Sequence, residues 1–141
     1  MTKINVPYGV KGSLELEIED KNLSLNTDVP FPEEMEDIDQ AILRELDHPV
    51  AGAPFSESLK KAKKVVILTD NFARLTPAHR ILPPILKKLR EEGKEVSILV
   101  ASGLLREMNE AELERKFGEE ILASGIPIYQ SKARETWDFE F

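Results

Sequence analysis

The sequence predicts an α/β protein: an N-terminal β-hairpin, then a Rossmann-like, three-layer β-α-β-α-β core with parallel strands. Three observations lead there. Residues 3 to 7 and 13 to 19 alternate apolar and polar side chains around Gly9 and Gly12, as a hairpin with one wet face does. From Lys63 onward, short aliphatic runs alternate with helical patterns. Val65, Val66, Ile67 and Leu68 stand in an unbroken row, which marks a strand covered on both faces.

The elements follow in order. Leu14, Leu16 and Ile18 alternate with Glu15, Glu17 and Glu19, and a third short strand is expected over residues 23 to 25. Pro30 and Pro32, with Glu33 and Glu34, interrupt any sheet and lead into a helix over 35 to 46. Ile38, Ile42 and Leu46 recur every four residues on it, and His48-Pro49 ends it. After a loop at 50 to 54, Ser56 is expected to cap a short helix reaching residue 62. Strand 64 to 69, helix 77 to 92, strand 95 to 101, helix 110 to 124 and the apolar run Ile126-Pro127-Ile128-Tyr129 complete the series. Thr76-Pro77 starts one helix, and Asn109 with Glu112 forms a capping box at the next. Gly93 and Gly125 follow their ends. Pro84 would clash with the carbonyl of Arg80, so Pro83-Pro84 predicts a separate or kinked first turn.

With 141 residues the chain is expected to form a single domain, 1–141. Within it, 1–30 is the hairpin region, 31–62 a helical connection, 63–129 the core and 130–141 a tail. The absence of cysteine excludes disulfides, thiolate metal sites and a cysteine nucleophile. Nineteen Lys plus Arg against twenty-six Asp plus Glu give a net charge of −7, which opposes nucleic acid as a partner. Lys60, Lys61, Lys63 and Lys64 read as a solvated helix end. No membrane span or signal peptide is visible, so a cytoplasmic location is expected.

In parallel sheets ligands bind beyond the carboxyl ends of the strands. Asp70, Asn71, Arg74 and His79 fall at the first such end and are the candidate substrate-binding residues. A guanidinium in such a turn can grip a carboxylate or phosphate bidentately, and backbone amides near Pro77 to His79 add positive potential. The second end reads Ala101-Ser102-Gly103-Leu104-Leu105-Arg106; Ser102 and Gly103 are the candidate cofactor-binding residues. The two histidines, His48 and His79, lack metal-site spacing, so no metal ligands are assigned. GxGxxG, GxxxxGK[ST] and GxSxG are absent.

These two strand ends resemble the N-terminal domain of the nickel-dependent lactate racemase family. Its members carry an Asp-X-Thr-Arg turn followed by Pro-X-His, where this chain reads Asn71-Phe72-Ala73-Arg74-Leu75-Thr76-Pro77-Ala78-His79. Ile98-Leu99-Val100-Ala101-Ser102-Gly103 takes the place of an Ala-Thr-Gly segment, and Lys116-Phe117-Gly118-Glu119 looks like a Lys-Tyr-Gly-Glu segment. The resemblance implies a nickel pincer nucleotide that accepts hydride from the α-carbon of lactate, with histidines as acid and base. It gives Arg74 the substrate carboxylate.

The chain also departs from that pattern. The turn aspartate falls on Asn71, with Asp70 one residue earlier, and the catalytic histidine falls on Leu105, which cannot move a proton. In family members the lysine joined to the cofactor and the nickel-binding histidine lie beyond residue 141. No catalytic residue is therefore assigned within this chain. Trp137, Phe139 and Phe141 alternate with Asp138 and Glu140 like a half-buried strand, which suggests a truncated product or excised domain expecting a C-terminal partner domain.

The expected function is the cleft-forming N-terminal domain of a lactate-racemase-like isomerase acting on a small 2-hydroxy acid, inactive alone. Its ligand would be a small carboxylate or something nucleotide-like. The alternative is a non-enzymatic anion-binding or protein-interaction module.

Overall fold

The structure is a computed structural model that describes residues 1–9, 12–27 and 37–132. Its contacts divide into two compact units, Met1–Glu34 and Met35–Phe141.

In the first unit, β1 (Thr2–Tyr8) pairs antiparallel with β2 (Gly12–Ile18), opposing Ile4 to Leu16 and Val6 to Leu14. Lys3 and Glu17, and Asn5 and Glu15, share the other face, and the Lys3 ammonium reaches Glu15 at 2.8 Å. The alternation in the sequence thus becomes one apolar and one polar face. A Cβ on Gly12 would lie 2.8 Å from the Tyr8 carbonyl oxygen, so the chain exit requires glycine there. The expected strand at 23 to 25 does not form. A 3-10 turn over Asp20–Asn22 occupies the end of the hairpin, and Leu25 is exposed. A strand exists only against a partner edge, and these residues meet none among the described ones.

The second unit opens with α1 (Ile38–Asp47), whose first turn is capped by Asp37 accepting from the Gln40 amide at 2.9 Å. The expected start at residue 35 lies outside the described residues. α1 ends at His48, as the following proline requires. In α2 (Phe55–Leu59), Pro54 rather than Ser56 holds the cap position, and the Asp47 carboxylate supplies the acceptor for the first turn, taking the Ser56 amide at 2.8 Å.

β3 (Lys64–Asp70), α3 (Ala78–Glu91), β4 (Glu95–Ala101), α4 (Glu110–Ala123) and β5 (Ile128–Gln130) form the α/β series, with parallel strand order β3-β4-β5. Ile67, Ile98 and Ile128 stand side by side across the three strands. Against this row pack Leu82 and Leu86 of α3 and Phe117 and Ile121 of α4. Both crossover helices therefore cover the same face. Successive right-handed crossovers that advance in one direction return to one side. On the opposite face Leu68 is exposed. α1 packs against α3.

Two helices differ from expectation. α3 is continuous, without the break expected at Pro83-Pro84. The prolines deny donors only to the carbonyls of His79 and Arg80, which belong to exposed residues of the first turn where water can replace them. The break occurs instead in α4, at Gly118, whose φ of 77° and ψ of 161° interrupt the helix. No described helix is long and apolar enough to cross a membrane.

Candidate functional site

The exit from β3 is built by short-range hydrogen bonds. Asn71, 6% exposed, accepts from the Ala73 amide at 3.0 Å through its side-chain oxygen. Its side-chain nitrogen donates to the Ser102 carbonyl at 3.2 Å, joining the two strand exits. The Arg74 amide donates to the Asn71 carbonyl at 3.2 Å and closes the turn. The Thr76 hydroxyl donates to the Asp70 carboxylate at 2.5 Å. α3 then begins at Pro77 with no side-chain cap.

Lys116 underpins this turn. Its ammonium, on a side chain 5% exposed, pairs with Asp70 and donates to the carbonyls of Arg74 (3.5 Å) and Thr76 (3.2 Å). Three donors meet three acceptors on one turn, so the buried ammonium is fully hydrogen-bonded. Burial pushes the Asp70 carboxyl up, but Lys116, Thr76 and Arg74 more than offset it and hold it below the usual aspartate value. Gly118 lets α4 come close: a Cβ there would lie 3.4 Å from the β-carbon of His79.

The exit from β4 is closed by other means. Asn109 and Glu112 form the expected capping box, each bond 3.0 Å. Arg106 is held bidentately by Glu112 at 2.7 Å for both bonds and lies 5.0 Å from the centre of the Phe72 ring. Hydrogen bonding from Arg106, then from the Asn109 backbone, pulls the Glu112 carboxyl down to about 2. Gln130 bonds both backbone groups of Met108, at 2.6 and 3.0 Å, and the Ser131 hydroxyl accepts from the Ser102 amide at 2.9 Å.

Between the two exits lies an open cleft of about 500 Å³, lined by Asp70, Asn71, Arg74, Ser102, Gly103 and Leu105 among others. The structure thus brings together every sequence-predicted site residue except His79, which stands exposed on the first turn of α3 and does not line the cleft. Arg74 is exposed, and its guanidinium makes no ion pair or hydrogen bond among the described residues. The Ser102 hydroxyl is buried and has no hydrogen-bond partner among them. A larger groove of about 580 Å³, lined by Pro83, Lys87, Glu120 and Ser124 among others, contains none of the predicted residues.

Sequence reasoning assigned no part in the site to Lys116, Thr76, Gln130 or Ser131. The one available signal for Lys116 was its place in the Lys-Phe-Gly segment, where a charged residue precedes a large apolar one and a helix-breaking glycine. Among the described residues no group of three or more His, Asp or Glu side chains could hold a metal ion. These residues therefore do not fit a nickel centre by themselves.

Known proteins give the context. A lactate racemase from Lactiplantibacillus plantarum is 27% identical over 127 residues, covering 86% of this chain and 30% of the relative. One from Thermoanaerobacterium thermosaccharolyticum is 27% identical over 126 residues, covering 86% and 29%. The chain spans about 30% of the length of these relatives. The lactate racemase apoprotein structure from Thermoanaerobacterium thermosaccharolyticum shares the fold, with a TM-score of 0.72 at 24% identity over 93% of this chain and 30% of that one. A crystal structure of a Thermotoga maritima protein matches with a TM-score of 0.54 at 24% identity, over 72% and 23%. The family model for the lactate racemase N-terminal domain matches residues 8–139, and this chain belongs to that family.

Proposed function

We propose that this chain is the cleft-forming N-terminal part of a lactate-racemase-like isomerase acting on a small 2-hydroxy acid, and that it is inactive alone. The observation that carries the reading is the guanidinium of Arg74, unpaired among the described residues and presented on a tied-down turn at the strand ends. Arg74 would hold the substrate carboxylate bidentately. Asp70 and Asn71 would hold the turn, while His79, which does not line the cleft, would not reach the ligand. Ser102, its hydroxyl without a partner among the described residues, and Gly103 would border a cofactor phosphate or carboxylate. Proton transfer, cofactor attachment and nickel binding would belong to a partner C-terminal domain, because Leu105 cannot move a proton. A cytoplasmic setting completes this reading.

A second reading, a non-enzymatic anion-binding or interaction module, is favoured by the exposed apolar residues Leu68 and Leu105 that line the same cleft. Substituting Arg74→Ala and titrating with lactate by NMR separates the two. The isomerase reading expects affinity to fall roughly tenfold or more, since hydrogen bonds to charged groups contribute about 1.5–3 kcal/mol. Unchanged lactate binding, or none by the parent chain, would sink it.

A further inference from the structure

We propose that Lys116 is a positioning residue for Arg74: by neutralising the Asp70 carboxylate beneath the turn, it leaves the cleft an attractive field for a small anion. The inference rests on the reading of Arg74 as the anion-binding group. An aspartate at the root of an anion site is a contradiction on its face, because its charge repels the ligand that the guanidinium attracts. The structure removes the contradiction from below. Lys116 reaches Asp70 from α4 and is almost wholly buried, while the Asp70 side chain is 32% exposed, so it is the direct contact that makes the cancellation local. Its remaining donors go to the carbonyls of Arg74 and Thr76, leaving the ammonium no capacity to meet a ligand itself. Lys116 therefore acts through the turn.

The charged groups acting on Asp70 are Lys116 from α4 and Arg74 from its own turn. His79, the titratable residue on the first turn of α3, faces Gly118 and is common to all variants below.

The test is an NMR titration of the 141-residue chain with sodium lactate at about pH 7, where an aspartate is ionised. Lys116→Met is expected to weaken binding roughly tenfold, because the Asp70 charge is then left uncancelled. Asp70→Asn combined with Lys116→Met should recover most of that loss. A merely structural lysine would give a loss that the second substitution does not relieve, and that result overturns the proposal. So does undiminished binding by Lys116→Met. If the single variant does not fold, the double variant decides: folded and binding supports the proposal, whereas folded without binding, or unfolded, overturns it. Binding that survives Arg74→Ala would instead count against the reading of Arg74, and is told apart by leaving the Lys116 comparison unaltered.

Discussion

The two strand exits each carry one arginine in a turn, and the fold treats them in opposite ways. Arg106 is fully engaged: Glu112 takes both arms of its guanidinium and the Phe72 ring lies beside it. Arg74 has its turn built around it while the guanidinium itself stays unpaired among the described residues. The carboxylate nearest to Arg74 in sequence, Asp70, has been drawn away by Lys116 and Thr76. A cation can serve a ligand where neighbouring anions already have other partners. The same contrast extends to the helices, since α4 is sealed by a capping box and α3 begins without a side-chain cap.

The comparison can be broken first at Gly118, where the largest stability effect is expected. Its φ and ψ lie in a region that only glycine adopts readily, so Gly118→Ala should cost about 1–3 kcal/mol. A shifted backbone there would also move Lys116, two residues earlier, from the β3 exit. Denaturant melts would read the loss, with faster amide exchange at Ala73 and Arg74 as its local sign. A stability loss without that sign would mean that α4 does not support the turn.

Asn109→Ala strikes the other exit. It removes the cap of α4 and should cost about 1 kcal/mol, leaving the amides of Ala73 and Arg74 unaffected. A change at those amides would show that the bond from Asn71 to Ser102 carries the loss of the cap to the β3 exit.

The smallest effect should come from acid. The Glu112 carboxyl is depressed from the ordinary 4.5 to about 2 in the folded protein, so its contribution is present above the unfolded value and fades as pH falls through the folded one. Between about pH 4.5 and about pH 2 the start of α4 should loosen, and Glu112→Gln should flatten that part of the stability profile. An unchanged profile would show that the exposed Arg106–Glu112 pair contributes nothing measurable.

Much of the fold was legible because it rests on local pattern. The hairpin register follows from strict alternation, β3 and β4 from aliphatic runs, and the capping box from Asn109 and Glu112 three residues apart. The reading failed where a local signal was overruled by neighbours. Asp47 of α1 supplies the acceptor expected of Ser56, and the proline pair sat where exposed carbonyls needed no donor. The helix break moved to Gly118, whose positive φ favours glycine.

By itself the sequence determined the α/β class, the order of elements and the two turns between which the cleft lies, because periodicity and punctuation act over a few residues. It also supplied five of the residues that line that cleft. Only the tertiary structure decided which charges remain available there. Lys116 stands 46 residues from Asp70, and no spacing rule connects them. Pairing across that distance depends on where α4 packs, and burial of the Lys116 side chain then requires a partner, because a lone ammonium there would be too costly to keep.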